Sequence, residues 1–265
     1  MSTHSKIPLE EFAEQCRDQT IPLNSLFSYF CASPVEDDVL RRLLHEPVAA
    51  TPPELGKLFR GIRVVLVPYL ESVPSTGTSN GAGGTKKRTA EKATPNRVVS
   101  FTAPPQRRRV FAATLRSADE AFLFLAVTDE DPADCHYSFY AGVANLVCEI
   151  LDSETLAGFT DLLREELAEH AHGEIDEHSW RLKEELVRRQ KDPTRNTKLL
   201  RGYVRQSMQD TLTLYMHGLC CDIDLEAGPR QLNSRNIRRR LNLLRKVLPP
   251  PPGFALFPEE LDRGH

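Results

Sequence analysis

The segment 73–96, VPSTGTSNGAGGTKKRTAEKATPN, interrupts a chain whose other parts carry regular apolar patterns. Ser, Thr, Gly, Pro and Lys dominate this segment, and Val73 is its only large aliphatic residue. Such a composition cannot bury enough apolar surface to offset the conformational entropy that is lost on ordering. We therefore predict a flexible linker, which separates an N-terminal helical segment (1–72) from a mostly helical domain with a small sheet (97–257) and a tail (258–265).

The remaining composition is typical of a globular protein. The 265 residues are 40% hydrophobic and 27% charged, with a net charge of −3, so the chain is long enough for a substantial core. No apolar run approaches the roughly 20 residues that span a bilayer, and the first residues lack the pattern of a secretory signal. The six cysteines are scattered and form no CxxC pair, which favours reduced thiols and a cytoplasmic location.

The N-terminal segment is predicted to be helical. Helices are predicted at LEEFAEQC (9–16), at LNSLFSYFC (23–31), and after the capping boxes Ser33–Glu36 and Thr51–Glu54. Apolar residues recur at helical spacing over 55–66, which predicts that the last of these helices continues until Pro68 kinks or ends it. These helices are short for independent stability, so the two parts of the chain can still share one core.

Three segments rich in Val, Phe and Thr follow the linker. They are RVVSFTA (97–103), RRRVFAATLR (107–116) and AFLFLAVTD (121–129). They predict a small antiparallel meander near residues 97–128, with a short helix over 118–127 as the alternative for the last segment. Further helices are predicted over 136–151, 153–171, 174–191, 195–219 and 233–248. The predicted fold class is therefore mainly α (α+β), a multi-helix domain with a small antiparallel meander.

Histidines and carboxylates are concentrated between residues 166 and 178. The candidate metal ligands are His170, His172, His178, Glu166, Glu169 and Glu174. Residues three and four apart share one face of a helix, so these ligands could converge on zinc, iron or manganese. Gly173 weakens a continuous helix here, which leaves a loop site built on the histidines. A di-iron bundle lacks support because the chain has no second Glu-x-x-His. The alternative is a solvated acidic surface without metal.

No motif of a common enzyme class is complete. The chain has neither the H-E-x-x-H of zinc proteases nor the G-x-S-x-G of α/β-hydrolases, and GAGGTKKR (81–88) lacks the Gly-Lys-Ser/Thr order of a phosphate-binding loop. The adjacent thiols Cys220 and Cys221 could be redox-active or bind a soft metal, although such thiols more commonly pack as small apolar side chains. Cys148 or Cys220 could meet His136 or His217 in space, but nothing in the sequence shows it.

Residues 230–246 carry seven basic side chains and no Asp or Glu. The candidate partner-binding residues are Arg235, Arg238, Arg239, Arg240, Arg245 and Lys246. Apolar residues recur along one face of the same segment, which predicts an amphipathic helix capped by Asn233 or Ser234. Its basic face suits nucleic acid, an anionic membrane surface or an acidic protein. The alternative is intramolecular docking on 149–178, which holds ten acidic residues and one basic residue.

These patterns favour a non-enzymatic cytoplasmic protein that binds a macromolecular partner, most simply a protein, through the basic C-terminal helix. A metal-dependent enzyme that uses the cluster at 166–178 is the first alternative. The second alternative is a nucleic-acid-binding protein, because the basic groups at 86–88 and 107–109 could join the C-terminal helix in one positive surface. No recognised nucleic-acid-binding motif supports the second alternative.

Overall fold

The chain folds into a mixed α and β architecture, as shown by a computed structural model that describes residues 6–73, 96–117, 120–128, 131–221 and 230–257. The strands are β1 (Lys6–Pro8), β2 (Ile21–Pro22), β3 (Phe27–Cys31), β4 (Ile62–Val67), β5 (Tyr69–Val73), β6 (Asn96–Ser100), β7 (Arg109–Val110), β8 (Ala112–Arg116) and β9 (Ala121–Ala126). The α-helices are α1 (Leu9–Cys16), α2 (Asp37–Leu40), α3 (Glu46–Ala49), α4 (Pro132–Cys148), α5 (Ser153–Ala168), α6 (Glu177–Arg189), α7 (Lys198–Cys220) and α8 (Ser234–Val247). A π-helical stretch, Arg41–His45, joins α2 to α3, and short 3-10 helices lie at Arg17–Gln19, Pro53–Lys57 and Gln106–Arg108.

The larger sheet has the strand order β2-β3-β4-β9-β8. Its three central strands are parallel, so that Phe27 lies beside Ile62 and Ile62 lies beside Ala121. The edge strands β2 and β8 are antiparallel to their neighbours. A parallel pair requires a crossover connection, and the helical segment 37–49 provides it between β3 and β4.

Strands β4 and β9 are buried on both faces. Side chains of β4 and β9 alternate between a larger core, which holds Val64, Leu66, Leu123 and Leu125, and a smaller core, which holds Val65, Val67, Phe122 and Phe124. Strands covered on both sides become continuous apolar runs without polar alternation. The long helix predicted after Thr51–Glu54 is therefore wrong: a short 3-10 helix forms at Pro53–Lys57, and β4 follows. The prediction fails because the apolar spacing of this segment also fits a buried strand. The helix predicted over 23–31 is also wrong, since this segment contains β3.

The smaller sheet is antiparallel and has the order β1-β6-β5-β7. Helix α1, which the sequence predicts correctly, packs Leu9, Phe12 and Cys16 into the smaller core beside this sheet. Strands from before and after residues 74–95 pair in both sheets, so the two parts of the chain share their core. Residues 74–95, which are most of the predicted linker, and the predicted tail lie outside the described residues.

The predicted meander over 97–128 is wrong in its connectivity. Its segments do contain strands, but β6 pairs with β1 and β5, whereas β8 pairs with β9 at the edge of the larger sheet. The physical reason is that β4, which the sequence predicts as helix, and β5, which follows Pro68, supply the partners that divide the segments between two sheets. The capped helix predicted after Ser33–Glu36 does form, although its N-cap is Glu36 and has no side-chain cap.

The five helices predicted after residue 131 are present, with bounds that differ by a few residues. Each has a side-chain N-cap, provided in turn by Asp131, Asp152, Asp176, Thr197 and Asn233. Helix α4 packs against β8 and β9 on one side and against α7 on the other. Helix α7 also contacts α5, α6 and α8, so it is the centre of the helical layer. None of the described helices combines the length and the apolar character needed to cross a membrane.

Gly173 makes the turn that separates α5 from α6. Its φ is +80°, a conformation that favours glycine, and a Cβ there would lie 2.3 Å from the backbone oxygen of Gln231. The chain passes this close because Glu174 N–H donates to Arg230 O at 2.9 Å and Leu232 N–H donates to Glu174 O at 3.1 Å. The turn therefore seats Glu174 against the segment that leads into α8.

Gly173→Ala is expected to lower the free energy of unfolding by about 2 kcal/mol or more, because it combines a left-handed backbone with a backbone clash. Gly158→Ala in α5 is the matched control, since a Cβ at this exposed helical glycine meets no atom within 4 Å. Gly158→Ala should raise the free energy of unfolding by about 0.5–1 kcal/mol. Urea denaturation followed by circular dichroism measures both, and a Gly173→Ala variant as stable as the wild type would contradict the argument.

Candidate functional site

The predicted metal ligands between 166 and 178 separate into two groups. His170, His172 and His178 are exposed on the surface with Glu169, whereas Glu166 and Glu174 are buried. Helix α5 ends at Ala168, and the turn at Gly173 follows, so the candidate ligands do not lie on one continuous helix, as Gly173 indicates in the sequence. The structure brings Glu166 and Glu174 together on an arginine. A loop site built on the three histidines stays a prediction.

Arg240 forms ion pairs with the two buried glutamates, Glu166 and Glu174. It is the largest fully buried side chain among the described residues. Its Nε lies 3.1 Å from both carboxylate oxygens of Glu166, and its Nη2 lies 2.5 Å from Glu166 Oε2. Its Nη1 and Nη2 donate to Glu174 at 2.8 and 2.9 Å, and Nη1 also donates to Ser207 Oγ at 2.8 Å. These contacts can occupy all five N–H groups of the guanidinium.

The cluster is completed by a tyrosine and a lysine. The Tyr203 hydroxyl donates to Glu174 Oε1, and Lys183 Nζ donates to Gly173 O at 2.8 Å. Burial alone would raise the pKa of Glu174, but hydrogen bonds from Arg240 and its charge hold that pKa below the ordinary value. Arg240, Lys183, Glu166 and Glu174 form an ionic cluster in which two positive charges offset two negative charges. The cluster joins α5, α6, α8 and the Gly173 turn, and Tyr203 connects it to α7.

The basic face predicted for partner binding is partly used inside the molecule. Arg240 cannot contact a partner because it is wholly buried, so that assignment is wrong. Arg239 Nη2 lies 2.5 Å from Glu165 Oε2, and its Nη1 lies 3.8 Å from Glu169 Oε2. These contacts correspond to the intramolecular alternative, in which α8 docks on the acidic segment.

The other predicted partner-binding residues lie towards the surface of α8. Arg235, Arg238 and Lys246 are exposed, and Arg245 is half-buried. The guanidinium carbon of Arg238 lies 4.3 Å from the ring centroid of Phe257, and that of Arg245 lies 6.0 Å from it. The chain after α8 thus folds back along the basic face.

A different group of side chains has the chemistry of a functional site. Within the described parts of the chain, His136, Cys220 and Cys221 form the one group of three or more potential metal ligands whose donor atoms all lie within 4.8 Å of one another. His136 is on the first turns of α4, Cys220 is the last residue of α7, and Cys221 follows in extended conformation. The packing of α4 on α7 therefore assembles the group.

The imidazole of His136 is held in one orientation. Its Nε2 lies 2.5 Å from the backbone oxygen of Arg42, and its Nδ1 lies 3.4 Å from Cys221 Sγ. A carbonyl oxygen only accepts hydrogen bonds, so Nε2 carries a proton and Nδ1 faces the thiols. Cys221 is positioned by its own backbone, because its N–H donates to His217 O at 2.9 Å.

The environment of this group differs from that of the other thiols. Burial would raise the pKa of Cys220, but hydrogen bonding, chiefly with His136, outweighs burial, so the pKa lies below its ordinary value. The hydrogen bond with Cys220 raises the pKa of His136. In contrast, burial raises the pKa of Cys148 to about 12. A thiolate beside an oriented imidazole can act as a ligand for a soft metal or as a nucleophile.

The sequence indicates the thiols of this site but not their meeting with His136. The adjacent cysteines are a visible signal, and His136 was one of two histidines considered for Cys220. The pairing joins residues 85 positions apart, between His136 and Cys221, and it depends on how α4 packs against α7. The carbonyl of Arg42, which comes from the π-helical stretch, has no side-chain signal that sequence could reveal.

Comparison with known proteins gives no relative: no family model, no curated protein and no solved structure matches this chain.

Arg240→Met is expected to lower the free energy of unfolding by about 3–5 kcal/mol, because it leaves Glu166 and Glu174 buried without a partner. Arg235→Met, at an exposed position of the same helix, is the control and should change it by no more than about 0.5 kcal/mol. Urea denaturation measures both. When Glu166→Gln and Glu174→Gln are also present, the cost of Arg240→Met should fall; an undiminished cost would show that packing, and not charge, explains the loss.

Proposed function

We propose that this protein binds a zinc ion through His136, Cys220 and Cys221. The observation that carries the proposal is the convergence of one imidazole nitrogen and two sulfurs within 4.8 Å of one another, on two helices that pack together. Cysteine thiolates and imidazole are the preferred ligands of zinc in proteins, and this donor set disfavours magnesium, calcium and manganese. The metal hypothesis is thus moved from the 166–178 segment to the junction of α4 and α7.

The separations between the donor atoms fit a tetrahedral ion. Bonds of about 2.3 Å to sulfur and about 2.0–2.1 Å to nitrogen place a nitrogen and a sulfur ligand about 3.5 Å apart, and two sulfurs about 3.8 Å apart. His136 Nδ1 and Cys221 Sγ are separated by 3.4 Å. The donor atoms all lie within 4.8 Å of one another, which is at most about 1 Å more than the separation of two sulfurs on a tetrahedral zinc. Rotation of a cysteine side chain can close that difference.

The surroundings of His136 also support a ligand role. Histidines that bind metals usually donate their other ring N–H to a carboxylate or backbone carbonyl, which fixes the tautomer and the ring. The Arg42 carbonyl oxygen is placed to accept from Nε2. Three protein ligands leave the fourth position of the ion for water or an exchangeable ligand, an arrangement typical of zinc sites that interact with other molecules.

Untagged protein incubated with zinc and then desalted is expected to retain about one equivalent of the metal, measured by elemental analysis. Cobalt in place of zinc should produce a thiolate-to-cobalt charge-transfer band, since the site contains two sulfurs. His136→Ala and the double variant Cys220→Ser, Cys221→Ser should each lower affinity by at least about 10–100-fold.

Cys148→Ser is the matched control for these variants. Cys148 is the last residue of α4, twelve residues beyond His136, a rise of about 18 Å along the helix. It should bind metal as the wild type does. Far-ultraviolet circular dichroism checks that each variant is folded. Wild-type protein that shows no thiolate-to-cobalt band, or retention of zinc by the double cysteine variant, would refute the proposal.

We also propose, as a second candidate function, that the exposed part of α8 binds an acidic protein partner. The supporting observation is that Arg235 and Lys246 are exposed, and neither forms an ion pair with a carboxylate in the described residues. Nucleic acid is less favoured as the partner, because Arg108 of the 107–109 group pairs with Glu71 and Arg109 packs on aromatic rings.

The double variant Arg235→Glu, Lys246→Glu should lose proteins that the wild type captures from a lysate, with the free energy of unfolding changed by no more than about 0.5 kcal/mol. Lys191→Glu, at an exposed position beyond α6, is the control and should keep them. Quantitative mass spectrometry compares the three captured sets. Identical sets for the wild type and the double variant would contradict partner binding by this surface.

A further inference from the structure

A cavity of about 260 Å³ lies between α5 and α7, away from the residues of the zinc proposal. Its lining residues come from the end of α4, the following loop, α5, the loop before α7, and α7 itself. This volume exceeds the 150 Å³ of an engineered apolar cavity that holds benzene. It is slightly smaller than the pockets of about 300–1,000 Å³ that accommodate drug-sized ligands. The cavity therefore fits a small molecule.

The wall provided by α7 has two parallel rows of side chains. Leu200, Val204 and Met208 recur every four residues and form an apolar row, all of them buried. Arg201 and Arg205 also lie four residues apart, so they form a second row beside the first. The apolar and basic rows meet along the length of the cavity.

The rest of the lining is mainly apolar. Leu156 and Thr160 of α5 face the two rows, and Leu151, Cys148 and Asn196 complete the lining. The Thr160 hydroxyl donates to Leu156 O at 2.7 Å, so it directs no proton into the cavity. Burial raises the pKa of Cys148 to about 12, which is consistent with an apolar surface at this point. Leu156 is 40% exposed, so the cavity is open at its α5 side.

The two arginines have no anionic partner in the described chain. Arg201 donates to Asn196 Oδ1 at 3.1 Å, and neither Arg201 nor Arg205 forms an ion pair with a described carboxylate. Arg239 and Arg240, in contrast, both form ion pairs with glutamates. Guanidinium groups bind planar anions through paired N–H donors. A ligand with an anionic head and an apolar tail would match both rows of α7.

We propose that this cavity binds a small amphipathic carboxylic acid, with its tail along Leu200, Val204 and Met208 and its carboxylate at Arg201 and Arg205. The apolar row removes the tail from water, and the two guanidiniums supply charge-assisted hydrogen bonds to the head group. A neutral alcohol of the same length would keep the first contribution and lose the second. An amine of the same length would be repelled by both arginines.

Isothermal titration calorimetry with decanoate, decanol and decylamine tests the proposal on the full chain, below the concentration at which each aggregates. Decanoate is expected to bind saturably with one site, at least about tenfold more tightly than decanol, the factor that corresponds to 1.4 kcal/mol. Decylamine should bind most weakly. Absence of saturable decanoate binding, or equal affinity for decanoate and decanol, would overturn the proposal.

Two variants separate the head-group contacts from the tail contacts. Arg201→Gln with Arg205→Gln should weaken decanoate binding by at least about tenfold and leave decanol binding unchanged. Thr160→Trp should fill the cavity and remove binding of both ligands. Arg188→Gln with Arg189→Gln, which neutralises two exposed arginines of α6, is the matched control and should bind decanoate as the wild type does.

If Thr160→Trp does not fold, the variant Arg201→Gln with Arg205→Gln tests the proposal by itself. Both arginines are exposed, so their replacement leaves the core intact. Equal loss of decanoate affinity in the arginine variant and in the α6 control would show that net charge alone explains binding, and would overturn the proposal. Binding of an acidic peptide without binding of decanoate would also overturn it. Neither outcome bears on zinc at His136, Cys220 and Cys221.

Discussion

The burial of Arg240 between Glu166 and Glu174 is the constraint on which the helical layer depends. A guanidinium removed from water is tolerated only where carboxylates and hydroxyls replace its hydration, and here every N–H group has such a partner. The carboxylates are contributed by the end of α5 and by the turn at Gly173. The relative positions of α5, α7 and α8 are therefore set by charge satisfaction as well as by apolar packing.

Helix α7 connects this constraint to the proposed zinc site and to the cavity beside α5. Its middle supplies Tyr203 and Ser207 to the ionic cluster, and its C-terminal end supplies Cys220 to the thiol group. Its first turns supply Leu200 and Arg201 to the cavity beside α5. Because the cluster restrains α7 in the middle, the helix presents both ends in defined positions. Precise placement of ligand atoms requires such a rigid support.

Whether an element can be predicted from the sequence depends on how many of its faces are buried. Helices such as α8, with one apolar face and a side-chain cap, are visible in the sequence. Strand β4, buried on both faces, is not, because IRVVLV fits a helix and a strand equally. The charge pattern did indicate that α8 could dock on residues 149–178, but the burial of Arg240 within that contact requires tertiary structure. The meeting of His136 with Cys220 likewise follows from helix packing alone.

The ionic cluster joins parts of the chain that are synthesised at different times. Glu166 and Glu174 precede Arg240 by 74 and 66 residues. Before α8 has left the ribosome, both carboxylates lack Arg240, so their burial at that stage would remove two charges from water without their main partner. Completion of this layer is therefore a late event in biosynthesis, governed by closure of a long loop. A chain that ended before α8 would keep its acidic residues in water and expose the apolar side chains of α5 and α7 to proteases and chaperones.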